Sequence, residues 1–450
     1  MKVVVIGDGK IGRTIVEQVC QEGHEVTVID KNETAIEQII ELYDVMGICG
    51  NGASYDILKS ADVGKADLVI AATDSDETNI LSCLISKKLG AKSTIARVRS
   101  YEYMNQLDII KKDLGVTMTI NPEQEAANEI TKIINFPEAN RVDSFSKNVD
   151  LVELYIPEDS NLVGKSLASI YKEFKIRILV CTIQRNDEVI IPTGNFVFQA
   201  KDKVHITASK SDLKAFLIKA KLLENKINSV LIIGGGKLSV YLTNELLKNK
   251  YEVKIIEKNK NKCYELSELF PKATIIHGDG SDQKVLLEEG IQNYDAIVCA
   301  TGIDEENMII SMYADKLNVQ KVITKISKTS FKGLLESVNS SSIIAPQDII
   351  ASKIVSYIRG LCNARGNNVI TLHKLINNKV EALEFKAKND KKLINIPLKN
   401  LKLKENILIA AIIRNSHVIY PSGDDIIEED DNVVIVTTNQ FLDDLSDILE

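Results

Sequence analysis

Val3-Val4-Val5-Ile6-Gly7-Asp8-Gly9-Lys10-Ile11-Gly12 is an apolar strand running into a Gly-x-Gly-x-x-Gly turn and the head of a helix. It recurs as Val230-Leu231-Ile232-Ile233-Gly234-Gly235-Gly236-Lys237-Leu238-Ser239. Each copy leads to a second apolar run that ends on an acid, Asp30 in the first and Glu257 in the second. Gly9 to Gly236 spans 227 positions, and so does Asp30 to Glu257. Pro192-Thr193-Gly194 recurs as Pro421-Ser422-Gly423, Ala72-Thr73 as Ala300-Thr301, and Pro122 as Pro346. A register held over the whole chain is the mark of a tandem duplication.

The pattern carries a mechanism. Gly7 lets the chain turn sharply out of the strand, Gly9 leaves room for a pyrophosphate against the backbone, and Gly12 lets the helix pack closely on the sheet. The helix that follows presents free N–H groups and the positive end of its dipole to an anion. Asp30 is positioned to accept hydrogen bonds from ribose hydroxyls and disfavours a 2′-phosphate, which selects NAD(H) over NADP(H). In the second copy Ser239 stands for the third glycine, which predicts slightly looser packing, and Glu257 reaches farther than Asp30. Gly50-Asn51-Gly52 and Gly278-Asp279-Gly280 follow the third strand of each copy, at the sheet edge where ligands bind. Thr73-Asp74 and Thr301-Gly302 border the same crevice. Arg97 and Arg99 end the fifth strand, where they either meet a terminal phosphate or form surface salt bridges; the second copy has Lys325 and Ser327 there.

Around these loops the chain alternates β-rich and helical runs. Val3–Ile6, Val26–Ile29, Val45–Ile48, Leu68–Ala72, Thr94–Val98 and Thr117–Ile120 read as buried parallel strands. A helix is predicted over Glu123–Ile134, just after Pro122. Short alternating strands follow at Val152–Ile156, Arg177–Ile183 and Val204–Ala208. The fold class is α/β: two tandem modules, each a Rossmann-type parallel-sheet domain followed by a small α+β domain. The expected boundaries are residues 1–136, 141–225, 229–359 and 369–450.

Composition narrows the function. A net charge of −8 with interspersed bases gives no basic face for nucleic acid. The most apolar run, Ile407–Ile413, is far short of the roughly 20 residues that span a bilayer. No signal peptide is expected ahead of the strand at Lys2, and no polybasic or lipidation signal is evident. Seven scattered cysteines and five isolated histidines suggest reduced thiols and no metal site. The acidic run Asp424, Asp425, Glu428, Glu429, Asp430 and Asp431 reads as a solvated loop, with a divalent-cation site as the other reading.

The strings Val5-Ile6-Gly7-Asp8-Gly9-Lys10-Ile11-Gly12, Val28-Ile29-Asp30, Ala71-Ala72-Thr73-Asp74, Ile95-Ala96-Arg97-Val98, Leu162-Val163-Gly164-Lys165-Ser166-Leu167 and Pro192-Thr193-Gly194, in doubled order, resemble the TrkA family. Its unit is the RCK (regulator of potassium conductance) module. The resemblance implies a non-catalytic, cytoplasmic regulatory subunit, peripheral on the inner face of the membrane through its partner. That partner would be an integral membrane potassium channel subunit of Trk type, beneath which the chain forms a homo-oligomeric ring built from dimers. The ligand would be NAD(H), or ATP/ADP. Contacts carried over by position are Gly7, Asp8, Gly9, Lys10, Ile11, Asp30, Thr73, Asp74 and Arg97, with Gly234, Gly235, Gly236, Lys237, Leu238 and Glu257 in the second module. Gly12, Asn51, Asp279 and Thr301 complete the candidate site from the reading of the loops. The helix near Pro122 would pair neighbouring Rossmann halves. Two other readings stand beside this one. An NAD-dependent dehydrogenase would draw on the Tyr-x-x-x-Lys spacings Tyr55…Lys59 and Tyr171…Lys175. A nucleotide-binding regulator unrelated to potassium would share the same crevices.

Overall fold

The computed structural model describes residues 1–103, 113–146, 149–186, 188–223, 225–328, 333, 342–363, 369–375, 379–388, 392–415, 417–438, 442 and 444–450. The apolar runs form parallel strands: β1 Lys2–Ile6, β2 Glu25–Asp30, β3 Met46–Cys49, β4 Leu68–Ala71, β5 Ser93–Arg97 and β6 Met118–Ile120. They pair in the order β3-β2-β1-β4-β5-β6, so the chain reverses direction beside β1. In a doubly wound sheet that reversal opens the crevice at the carboxyl ends of the strands. Short polar side chains start several of the helices: Asn32 Oδ1 accepts from the Ala35 amide and Ser75 Oγ from the Thr78 amide.

Two small-domain strands escaped the alternating pattern. β7, Ala139–Ser146, is rich in polar residues, and β10, Glu188–Ile190, is only three residues long. With β8 Val149–Tyr155, β9 Ile178–Arg185 and β11 Lys203–Ala208 they make an antiparallel sheet in the order β10-β9-β11-β8-β7.

The architecture then repeats. A second parallel sheet has the order β14-β13-β12-β15-β16-β17, with β12 Ser229–Ile233, β13 Glu252–Glu257, β14 Thr274–His277, β15 Ala296–Cys299, β16 Lys321–Lys325 and β17 Ser342–Ile344. A second antiparallel sheet, β18-β19-β22-β20-β21, is built from β18 Val369–Leu375, β19 Val380–Lys386, β20 Ile407–Arg414, β21 His417–Ile419 and β22 Asn432–Thr437.

These pieces fold into two compact units. One contains residues 1–131 and 228–355, and the other 132–227 and 356–450. The like halves of the duplication are therefore grouped together. In the first unit Glu125, on the helix Pro122–Asn135, forms an ion pair with Lys353, on the helix Pro346–Asn363. In the second unit Leu151 and Cys181 share one core with Val380, Ala382, Ala410, Ala411, Val434 and Val436, so the two small sheets bury apolar surface against each other.

The acidic run near the end of the chain is largely solvated, as expected, and is also ion-paired. Asp424 pairs with Lys399, Asp430 with Lys386, and Glu428 and the buried Asp431 with Arg414. Among the described residues no helix is long and apolar enough to cross a membrane, and no cluster of three or more His, Cys, Asp or Glu is arranged to hold a metal ion.

A cross-strand pair marks the first small sheet. The buried His205 Nε2 lies 3.3 Å from Glu153 Oε2. Burial alone would raise the Glu153 carboxyl, but His205, with Lys203 and Arg141, outweighs it and holds the group down at about 2. A depressed carboxyl stabilises the fold above its ordinary value of 4.5 and loses that contribution as pH falls toward about 2. Acid titration of unfolding should therefore show a steeper loss of stability across this window in the wild type than in Glu153→Gln. Equal slopes would contradict the pairing.

Candidate functional site

Each glycine loop is set by its first glycine. Gly7 has φ +101° and Gly234 φ +102°, and a Cβ on either would lie within 3.0 Å of backbone atoms at Ala72–Thr73 or Ala300–Thr301. The turn is thus jammed against the end of the fourth strand, where only glycine fits. The middle glycines differ. Gly9 has φ −72° and Gly236 φ −74°, both open to any residue, and a Cβ there would meet nothing within 4 Å. Neither the backbone nor the packing accounts for glycine at these two positions. Each is the N-cap of its helix, Lys10–Gln21 or Lys237–Lys248, and supplies no side-chain cap. A helix start without a side-chain cap leaves its first N–H groups for an external acceptor.

The third position differs between the copies. A Cβ on Gly12 would fall 1.8 Å from the Gly7 carbonyl oxygen. Ser239 occupies the same place fully buried, and its hydroxyl donates to the Gly234 carbonyl. The serine hydroxyl thus ties the helix to the turn.

The acids at the ends of the second strands brace these loops. Asp30 accepts from the Asp8 amide at 2.6 Å and from the Asn32 amide at 2.8 Å. Glu257 accepts from the Gly235 amide at 2.7 Å and from the Asn259 amide at 2.6 Å. Each carboxylate oxygen retains acceptor capacity for a ribose hydroxyl. The extra methylene of Glu257 is accommodated by Gly235, whose Cβ would fall 2.9 Å from Glu257 Oε2. In the first loop Asp8 stands at that position. Its carboxylate is buried against Arg13, with Asp8 Oδ2 2.6 Å from Nη2. Burial raises the Asp8 pKa in spite of that partner.

At the ends of the fourth and fifth strands one device appears twice. Asn79 Oδ1 accepts from the Thr73 amide and hydroxyl at 2.8 and 2.7 Å, while its Nδ2 donates to the Arg97 carbonyl at 2.9 Å. Asn307 does the same for Thr301 and Lys325, at 2.8, 2.8 and 3.0 Å. Asp76 Oδ2 accepts from the amides of Arg99 and Ser100, and Asp304 Oδ2 from those of Ser327 and Lys328. Sequence reading passed over these four residues. Their signal was the repeated Asp-Glu-x-Asn string, Asp76 to Asn79 and Asp304 to Asn307.

Within the first unit the two halves meet around a cleft of about 830 Å³. The second half contributes Gly234, Gly235, Gly236, Lys237, Leu238, Glu257, Asp279 and Thr301, and the first contributes Gly9, Lys10, Ile11, Asp74 and Arg97. Arg99, Lys258, Lys262 and Lys325 add positive charge to the wall, and Glu123 and Glu306 add negative. Gly7, Asp8, Gly12, Asp30, Asn51 and Thr73 do not line it. Asn51 is exposed, and its Oδ1 accepts from the Ala53 amide at 3.1 Å. The tyrosines of the two Tyr-x-x-x-Lys spacings, Tyr55 and Tyr171, are not on the cleft wall either. Asp279 pairs with Lys258 and accepts from Ser281, and these partners hold its carboxyl at about 2.

Of the cations facing the cleft, Lys258 is paired with Asp279, whereas Arg97 is not fully hydrogen-bonded. Arg97 is only 8% exposed, yet its Nε has no hydrogen-bond partner among the described residues, and Asp74 Oδ1 is 3.7 Å from Nη1. Burial and then the neighbouring Arg99 push its pKa down, and burial lowers that of Lys325. A buried guanidinium with a vacant donor favours an anion in reach.

The TrkA-N domain family matches residues 3–122 and 230–346, and the TrkA-C domain family residues 151–218 and 382–450. The Archaeoglobus fulgidus protein described as a Trk system potassium uptake protein TrkA homolog is 31% identical, with 97% of each chain covered. The Halomonas elongata Trk system potassium uptake protein TrkA is 28% identical, covering 97% of this chain and 95% of its own. Among solved structures, the GsuK RCK domain superposes with a TM-score of 0.62 at 15% identity, covering 98% of this chain and 92% of that one. The GsuK channel bound to NAD gives 0.61, also at 15% identity, covering 98% of this chain and 77% of that one. The structural likeness establishes the fold, and the sequence matches establish the lineage: the chain belongs to the TrkA family.

The two kinds of glycine predict different costs on substitution. Gly9→Ala and Gly236→Ala should change stability by less than about 1 kcal/mol, because the freedom lost by the unfolded chain is opposed by the preference for glycine over alanine at an N-cap. Gly7→Ala and Gly234→Ala should destabilise the protein by more than about 1 kcal/mol. Chemical denaturation of the four variants checks this, and an equal loss in Gly7→Ala and Gly9→Ala would contradict it.

Proposed function

We propose that this chain is the nucleotide-sensing regulatory subunit of a Trk-type membrane potassium uptake channel. It binds NAD(H) or ATP/ADP in the Rossmann crevices and gates the channel accordingly. One observation carries the nucleotide part: Gly9 and Gly236 keep open space in front of an unstrained backbone at a helix start. Space of that kind suits phosphate groups, which accept from the helix N–H groups and meet the positive end of the dipole. The potassium part is supported by the family and by the names its relatives carry.

The contacts proposed for the second crevice are Gly234 to Leu238 along the phosphates, Glu257 at the ribose, and Asp279 and Thr301 at the rim. Gly7 to Gly12, Asp30, Asn51, Thr73 and Asp74 form the first crevice. Arg97 and Lys10 reach from the first half toward the far end of a ligand held by the second. The chain acts as a homo-oligomeric ring at the inner face of the membrane, attached through its channel partner, and its role is regulation rather than turnover.

Gating then follows from differential binding. A ligand shifts a conformational equilibrium only as far as it binds one state better than the other. Phosphates that contact both halves of one cleft bind best at one angle between the halves, so occupancy selects that angle. A ligand confined to one half would leave the angle unbiased.

Calorimetric titration with NADH, NAD, ATP and ADP tests the reading. Valine at Gly9 or Gly236 meets no protein neighbour at Cβ and places its bulk where phosphate would lie. Each variant should stay folded and bind nucleotide more weakly. Addition of the bound nucleotide should change potassium flux through proteoliposomes that hold the channel and the wild-type chain. Undiminished binding in both variants would sink the assignment of the crevices.

A further inference from the structure

Tyr241 lies on the helix Lys237–Lys248, one turn beyond the glycine loop of the second half, but its side chain is buried in the first half. Its hydroxyl donates to the Arg99 carbonyl at 2.9 Å and accepts from Asn121 Nδ2 at 2.8 Å. Its ring packs on Tyr101, with centroids 5.6 Å apart. Burial pushes the phenol up to about 12, so it stays a neutral donor at physiological pH.

Both partners sit at levers of the first half. Arg99 lines the cleft, and its amide is held by Asp76. Asn121 starts the helix Pro122–Asn135, with its Oδ1 accepting from the Gln124 amide at 3.0 Å. One phenol therefore joins the helix that begins at the second glycine loop to an arginine on the facing wall and to the head of the helix that carries Glu125.

The duplicated position makes no such bridge. In the 227-residue register Tyr241 corresponds to Thr14, whose hydroxyl donates to the Lys10 carbonyl of its own helix at 3.0 Å. In the register of Pro122 and Pro346, Asn121 corresponds to Ala345, which has no polar side chain. The bridge is therefore built from the second half's glycine-loop helix and has no counterpart on the first half's.

We infer that Tyr241 is a positioning residue that couples occupancy of the second glycine loop to Arg99 and the Pro122 helix of the first half, a coupling for which the first glycine loop has no counterpart at Thr14. The inference rests on the nucleotide reading above. An anion seated at Gly236 draws on the first turn of the helix Lys237–Lys248, and Tyr241 lies one turn on. A small shift of that turn displaces the Arg99 carbonyl, and with it the backbone of the cleft wall.

Hydrogen–deuterium exchange of the full chain, with and without ATP, tests this in the wild type, Tyr241→Phe and Thr14→Ala. Phenylalanine keeps the ring and removes both hydrogen bonds. In the wild type ATP should slow exchange at residues 234–240 and, through Tyr241, at residues 97–103 and 121–126. In Tyr241→Phe the effect at 234–240 should persist while that at 97–103 and 121–126 weakens by about fivefold, the scale of one net hydrogen bond. Thr14→Ala should match the wild type. A purely structural role would speed exchange at 97–103 without ATP and leave the increment due to ATP unchanged, which would overturn the inference alone. No protection of either glycine loop in the wild type would overturn the nucleotide reading and the inference together.

Discussion

At Gly7 and Gly234 the chain leaves its first strand with positive φ, pressed against the backbone that ends the fourth strand. That contact fixes where the next helix begins. A helix placed there leaves its first amides facing the crevice, and the acid at the end of the second strand fastens the loop from the other side through two backbone N–H groups. Turn, brace and helix start are held together by bonds that join the first strand's loop to the ends of the second and fourth strands. Asn79 and Asn307 extend this frame by tying the fourth strand's end to the fifth's. Everything proposed about ligands depends on this frame holding its amides in place before any ligand arrives.

Duplication preserved the frame and let the side chains on it diverge. Asp8 with Asp30 became Gly235 with Glu257, an exchange in which bulk moved from the loop to the brace. Gly12 became Ser239, with a new hydrogen bond in place of a bare contact. Arg97 became Lys325, and Thr14 became Tyr241. The consequence is an asymmetric cleft. The second half contributes its glycine loop, its brace and its rim, whereas the first contributes Gly9 to Ile11, Arg97 and Arg99.

Much of this was legible in the sequence, for physical reasons. Continuous apolar runs such as Val3–Ile6 and Leu68–Ala71 have few alternatives to a covered parallel strand, and a glycine turn between strand and helix admits few geometries. β7 was missed because its residues, Ala139 to Ser146, carry too little apolar signal to stand out. Asp76 and Asn79 were missed because polar residues at a helix start look like ordinary capping until their partners, the strand-end carbonyl of Arg97 and the amide of Arg99, are known. The Asp8–Arg13 pair was hidden for a similar reason: five residues apart, the two read as separate surface charges. The way the halves face one another is a tertiary fact, so neither Tyr241 nor the trans placement of Arg97 was visible in one dimension.

The central claim is that a ligand held by the second half is also held by the first. ATP titration of the wild type against Arg97→Ala, following the binding event that Gly236→Val abolishes, tests it most directly. Loss of a charged, buried hydrogen-bond donor to phosphate predicts that event weaker by roughly tenfold or more in Arg97→Ala. Equal affinity in the two proteins would mean that the second crevice binds its ligand alone, and that the facing arginines serve only the fold.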